Sequence, residues 1–204
     1  MKEIINIFAY GIVGYLIGSI PWALIIGKVF YHKDIRNYGS GNLGGSNAGR
    51  VLGKKVGVAV ILLDGLKAFL FMLLLTKLAP AAIPVAGMSV IVGHCFPIFA
   101  KFKGGKGVAS AFGYLLGLGL FGFGDIVFTF VYPFLIFALI LGLTKIVSIS
   151  SMLALVAASI IAFITNDLTV AICITIITVF IIYRHHTNIA RILKGQETKI
   201  TWLR

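Results

Sequence analysis

Long apolar runs, cut by short charged or turn-forming segments, dominate the pattern along the chain. A helix needs about 20 mostly apolar residues to cross a bilayer. Cutting wherever charges or turn residues interrupt such runs predicts seven spans, at about 4–28, 56–77, 82–100, 107–123, 125–144, 146–165 and 167–184. The narrowest divisions are Gly122-Phe123-Gly124-Asp125 and Thr165-Asn166-Asp167, where an acid and a turn-forming neighbour split runs too long for one crossing. The first run continues from Ile4 to Gly27 with no small-residue cleavage pattern, so it reads as a retained span rather than a signal peptide. The expectation is an all-α membrane protein, a bundle of seven transmembrane helices forming one integral membrane domain over residues 1–204.

Composition agrees with this pattern and narrows the function classes. Hydrophobic residues make up 59% of the chain and charged ones 12%, with a mean hydropathy of +1.05, whereas a soluble domain carries about a quarter charged residues. The net charge of +12 would suit nucleic acid, but no water-soluble module is available to present it. Cys95 and Cys173 lie in apolar runs without metal-ligand or disulfide spacing, and no metal is indicated. With alternating connections, nearly all Lys and Arg fall on one side. The exceptions are Lys2 and Lys77 on the other side and Lys67 within a span. The positive-inside bias then places the N-terminus outside and the C-terminus in the cytoplasm, with membrane lipids as partners of the basic face.

Candidate chemistry concentrates in two glycine-rich loops on the basic side. The first, about 31–55, contains Asn37-Tyr38-Gly39-Ser40-Gly41-Asn42-Leu43-Gly44-Gly45-Ser46-Asn47-Ala48-Gly49-Arg50. Glycines at 39, 41, 44 and 45 allow backbone amides to turn toward one anion. Ser40, Asn42, Ser46 and Asn47 add donors, and Arg50, Lys54 and Lys55 add charge. Gly39 to Gly44 matches GxGxxG, but without a preceding strand a dinucleotide fold is rejected. The plainer alternative is a surface loop whose glycines only make turns. The second loop, about 101–107, brings Gly104, Gly105 and Lys106 to the start of a span, where a helix N-terminus favours an anion; equally, its lysines can anchor the span to acidic head groups.

Within the second span Asp64 and Lys67, spaced i,i+3, read as an ion pair or as a polar pocket wall. His94 reads as a packed histidine or, alternatively, a catalytic one. His185 and Asn188 share a helical face after the last span, where His185 can bind phosphate, act as general base or simply sit at the interface. No His-x-x-x-x-Asp acyltransferase pair, nucleophile elbow or metal helix occurs. The tail from Ile189 to Arg204, with Trp202, reads as a basic interfacial segment.

Three motifs give the chain a family resemblance. They are Gly39-Ser40-Gly41-Asn42-Leu43-Gly44-Gly45-Ser46-Asn47 with Arg50 and Gly53-Lys54; Leu63-Asp64-Gly65-Leu66-Lys67; and Gly93-His94 with Pro97 and Phe102 to Ala109. Tyr183-Arg184-His185 with Asn188 and Ile189 adds a fourth match. Over its whole length the chain resembles the PlsY-type bacterial glycerol-3-phosphate acyltransferases, which use acyl phosphate as acyl donor. The resemblance implies transfer of a fatty acyl group to the 1-hydroxyl of sn-glycerol 3-phosphate, giving lysophosphatidic acid and phosphate for phospholipid biosynthesis. It also implies seven helices in the bacterial inner membrane, a site facing the cytoplasm, and no cofactor. It names no protein partner.

Carried over by residue, the resemblance implies catalytic roles for Ser40, Lys106, His185 and Asn188. It implies substrate binding by Asn42, Ser46, Asn47 and Arg50, and Ser148 is similar to a family serine near the site; the loop reading adds the backbone of Gly39, Gly41, Gly44, Gly104 and Gly105 to the substrate-binding set. The family usually has Thr where Ser46 stands and Gly where Ala68 stands; both replacements keep the local chemistry small or hydroxylated. Either His185 or a phosphate oxygen of the donor would take the hydroxyl proton, and an apolar groove with Gly113, Gly117 and Gly119 as one wall would hold the acyl chain. A transporter of phosphate-containing solutes is the competing class. Against it, both glycine loops sit at one surface and no charges continue across the midplane.

Overall fold

A computed structural model describes residues 2–200. Among these residues ten α-helices follow in order: α1 Lys2–Gly18, α2 Trp22–Tyr31, α3 Gly45–Leu52, α4 Lys54–Leu78, α5 Ile83–Cys95, α6 Val108–Leu120, α7 Tyr132–Thr144, α8 Val147–Thr165, α9 Leu168–Arg184 and α10 His186–Leu193. No strand occurs among the described residues. Five helical stretches there are long and apolar enough to cross a membrane: Ile4–Tyr31, Lys54–Leu78, Pro80–Ala100, Val127–Thr144 and Val147–Thr165. The pair α9 and α10, bent by 59°, makes a sixth if taken as one span. The segment expected over 107–123 is instead a helix of 13 residues, about 20 Å long. Glycines before it and the Gly122–Gly124 turn after it cut it short.

The chain forms two compact units, Met1–Gly117 and Leu118–Arg204. In the first, α1 packs along α5 through glycines: a side chain at Gly18 would strike the Val90 carbonyl, and one at Gly93 the Tyr15 carbonyl. Backbones can approach this closely only where both surfaces are small. Gly113 and Gly117 of α6 likewise meet Gly65 and Met72 of α4. The face expected to wall an acyl groove is therefore a packing seam at these two positions, because α4 already fills it.

The first apolar run breaks at Pro21, which has no N–H to donate and cannot continue a regular helix. The break exposes the carbonyls of Gly18 and Ile20, and Lys67 of α4 answers them: its Nζ donates to Gly18 O at 2.9 Å and Ile20 O at 3.3 Å. The same ammonium pairs with Asp64 Oδ1 at 2.9 Å and approaches His94 Nδ1 at 3.0 Å. Both expected members of the ion pair are thus inside the bundle, with side chains 4% and 1% exposed. Pairing at this depth satisfies charges that lipid cannot solvate.

In the second unit, α8 packs between α7 and α9. Val127–Val131 winds as a π-helix immediately before α7. Pro133, in the first turn of α7, would press its ring on the Thr129 carbonyl in a regular helix, and the wider turn relieves that clash. Gly119 and Gly124 close against Ile126, Thr129 and Asn166, so the predicted hairpin turn is tightly packed. The tail reading falls partly on residues 201–204, including Trp202, outside those described.

Replacing Lys67 by Met should leave Asp64 buried without its cation and destabilise the protein by about 3–5 kcal/mol. Combining it with Asp64→Asn should restore much of the loss, as read from thermal unfolding in detergent.

Candidate active site

The first loop is organised from its buried side. Asp34 caps the short turn Ile35–Asn37 that follows α2: its carboxylate accepts from the backbone N of Arg36 and, at 2.9 and 2.6 Å, from the Arg36 guanidinium, with Lys28 at 3.5 Å. Hydrogen bonding to Arg36 holds the Asp34 carboxyl well below the usual carboxylate range. Arg36 also donates to Ala100 O at 3.4 Å, tying the first loop to the segment that leads into the second. Beneath them Ala23, Leu24, Ile35, Leu43, Ala48, Leu52, Val60 and Ala100 form an apolar cluster.

Of the four glycines expected to turn amides toward an anion, Gly39 and Gly41 adopt left-handed backbone, with φ of 58° and 69°. The other two serve differently. Gly44 is extended and caps α3, and Gly45 lies in that helix, where a side chain would strike Ile61 and the Gly57 carbonyl. Asn47 is buried and turns inward. Its Oδ1 accepts from Ser40 N at 2.9 Å, and its Nδ2 reaches the carbonyls of Asn42, Tyr38 and Ile35 at 3.1, 3.2 and 3.4 Å. Gly39 must lack a side chain for this, since a Cβ there would collide with Asn47 Oδ1. Ser40, Ser46 and Arg50 are exposed, and Ser40 Oγ accepts from Asn42 Nδ2 at 3.2 Å. The loop thus presents hydroxyls and a guanidinium outward on a scaffold knotted by one amide.

The second loop wraps the C-terminal end of α5. Gly105 N donates to His94 O at 3.1 Å, and a side chain at Gly104 would meet the carbonyls of His94 and Cys95. Gly104 and Gly105 are buried, whereas Lys106 is half-buried two residues before α6 begins. Gly107, left-handed with φ of 86°, turns the chain into that helix.

In the second unit the remaining candidates lie close together. His185 forms the break between α9 and α10 and is 3% exposed. Its Nδ1 lies 2.7 Å from Ile181 O. A carbonyl can only accept, so Nδ1 carries the hydrogen and Nε2 of the neutral ring is the basic nitrogen. Asn188 and Ser148, the latter in the first turn of α8, are also buried. Both donate to one carboxylate oxygen, Glu197 Oε1, with Ser148 Oγ at 2.9 Å, while Arg191 Nε donates to Oε2 at 2.7 Å. Past Glu197, Ile200 N donates to Lys145 O at 2.8 Å, so the segment after α10 straps onto the start of α8.

A family model described as glycerol-3-phosphate acyltransferase matches residues 8–195. The chain belongs to the glycerol-3-phosphate acyltransferase family. It is 49% identical to glycerol-3-phosphate acyltransferase 2 of Bacillus anthracis, covering 93% of this chain and 96% of that one. With the Bacillus subtilis glycerol-3-phosphate acyltransferase it shares 47% identity over 94% and 96% of the two chains. Among solved structures it superposes on PlsY, an integral membrane glycerol 3-phosphate acyltransferase, in its glycerol 3-phosphate form. The TM-score is 0.87, with 35% identity over 97% of each chain. The lysophosphatidic acid form gives 0.84 and 33% over the same share.

Sequence reasoning about this acyltransferase passed over Glu197 and Asp34. The available signal was scarcity: the chain has six acidic residues against 18 basic ones, so an acid inside a basic segment has a defined partner to find.

Asn47→Ala should free the Ser40 amide and raise its hydrogen exchange by about tenfold or more, consistent with about 1–3 kcal/mol for a buried hydrogen-bonding group. For Glu197, burial pushes the carboxyl up, but hydrogen bonds from Asn188, Arg191 and Ser148 outweigh it and hold the group below its ordinary value. A depressed carboxylate stabilises the fold above its unfolded value, about 4.3, and loses that contribution only as pH falls through the lower folded value. Limited proteolysis should therefore find the strap docked at neutral pH and still docked near the unfolded value, with release under more acidic conditions.

Proposed function

We propose that this acyltransferase moves a fatty acyl group from acyl phosphate to the 1-hydroxyl of sn-glycerol 3-phosphate, forming lysophosphatidic acid and inorganic phosphate. The observation that carries the reading is its near-complete likeness to PlsY in forms named for glycerol 3-phosphate and lysophosphatidic acid, the acceptor and the product. An acyl phosphate donor suits the chemistry of the candidate residues. Phosphate is a good leaving group, so the protein need mainly hold anions and align a hydroxyl.

In this reading Ser40, Ser46 and Arg50 on the first loop, supported by the turns at Gly39, Gly41 and Gly44, bind phosphate oxygens together with Asn42. Asn47 contributes by holding that loop in shape. Lys106, with the backbone of Gly104 and Gly105, neutralises the phosphate charge of glycerol 3-phosphate. The glycerol 1-hydroxyl oxygen attacks the acyl carbon and a carbon–oxygen ester bond forms. The bond from that carbon to the phosphate oxygen breaks, and phosphate leaves with the electron pair. The hydroxyl proton passes to His185 Nε2, the ring nitrogen left unprotonated by the Nδ1 bond to Ile181 O. Asn188 and Ser148 orient the acceptor.

The seven-crossing topology belongs to the same proposal. The five long stretches, the bent α9–α10 pair and the short α6 would supply the seven, with the amino end outside the bacterial inner membrane. The Lys and Arg excess on one set of connections supports a site facing the cytoplasm.

Purified protein in bicelles, given palmitoyl phosphate and glycerol 3-phosphate without any thioester, should form lysophosphatidic acid. Ser40→Ala or Lys106→Ala should lower turnover by about 10²-fold or more. Unchanged turnover of His185→Ala at saturating substrates would remove its role as base, and dependence on a thioester would remove the donor assignment.

A further inference from the structure

The second loop rests on a side chain to which no role in the reaction has been given. His94, 6% exposed near the end of α5, has one ring edge toward Lys67 and the other toward the loop. On the first edge, Nδ1 lies 3.0 Å from Lys67 Nζ. An ammonium only donates, and its three shortest contacts are Gly18 O, Asp64 Oδ1 and His94 Nδ1. Nδ1 is therefore the acceptor, and the neutral ring carries its hydrogen on Nε2. The contact of Nδ1 with Asp64 Oδ1, at 3.3 Å, is longer than the bond of either atom to the ammonium.

On the second edge, Nε2 faces Gly105. A Cβ built on Gly105 would collide with Nε2, and Cε1 and Cδ2 lie within 2.9 and 3.1 Å of the same point. The Gly105 amide is fixed as well, by its bond to the His94 carbonyl. Residue 94 thus holds residue 105 through both backbone and ring. The ring cannot swing aside, because its opposite edge is pinned by a lysine that is itself held by Asp64 and the carbonyls at the Pro21 break.

We propose that His94 is a positioning residue for the second glycine loop, transmitting the fixed place of the buried Lys67 ammonium to Gly105 and so setting where the loop's amides and Lys106 meet the phosphate of the acceptor. The proposal rests on the assignment of this loop to glycerol 3-phosphate. It makes His94 a determinant of acceptor affinity and gives it no contact with the reacting atoms. The close fit also explains why residue 105 must be glycine, although its backbone is not in the left-handed region. The constraint is the imidazole edge and not the turn.

The test exploits the two edges separately. In His94→Asn the carboxamide oxygen can occupy the place of Nδ1 and keep the Lys67 bond, while the edge beneath Gly105 is removed. Glycerol 3-phosphate saturation curves would be taken at fixed palmitoyl phosphate for wild type, His94→Asn, Gly105→Ala and the double variant, each checked for an unchanged melting temperature. The expected result is a rise in KM for glycerol 3-phosphate of about fivefold or more in His94→Asn, with kcat within about twofold. Gly105→Ala should raise KM by about tenfold or more in the wild-type background but by less than about threefold on top of His94→Asn, since the colliding edge is gone. Such non-additivity is the signature of two residues acting on each other.

A wild-type KM in His94→Asn, or an equal effect of Gly105→Ala in both backgrounds, would overturn the positioning role. A Gly105→Ala variant with wild-type KM would instead overturn the assignment of the loop to the acceptor. If His94→Asn fails to fold, the Gly105→Ala comparison is repeated on His94→Ser, which also removes the ring edge, with the same two outcomes deciding.

Discussion

One buried ammonium organises the first unit. Lys67 could not remain in an apolar bundle unpaired, and its partners come from places far apart in sequence: two carbonyls released at the Pro21 break, a carboxylate one turn earlier on α4, and the imidazole of α5. A proline that would merely interrupt a helix in water therefore becomes, in lipid, a source of acceptors that must be matched. The match aligns α1, α2, α4 and α5, and through His94 it reaches the second glycine loop. Removing the charge alone would leave a carboxylate and two carbonyls with the same problem in reverse.

The two glycine loops look alike in sequence and are built on different principles. In the first, left-handed turns at Gly39 and Gly41 close around the amide of Asn47, a local knot whose donors and acceptors come from the loop itself. In the second, Gly104 and Gly105 are needed for close approach to the end of α5, and the shape is borrowed from the helix bundle beneath. The first can be perturbed by changing its own residues. The second answers to side chains in the membrane core.

The apolar runs were readable because burial in lipid imposes length and composition directly, and the Asp64 and Lys67 pairing followed from helical spacing. The short α6 was less so: Gly119 to Gly124 continue the apolar character past the point where the Gly122 turn ends the helix. Pattern also missed the inward turn of Asn47, since an amide in a glycine loop reads equally as ligand donor or as internal tie, and only the surrounding carbonyls decide. Glu197 was hidden by the basic residues around it. Its partners Ser148 and Arg191 lie 49 and 6 positions away, and Ser148 stands in the first turn of an apolar helix with nothing in its local sequence that points to an acid so distant.

The strap that Glu197 anchors follows α10 along the chain. In chain order it comes after α8 and α10, so the carboxylate that gathers Ser148 and Asn188 is made after both of them. The polar cluster of the second unit therefore stays incomplete until residues 197–200 are in place.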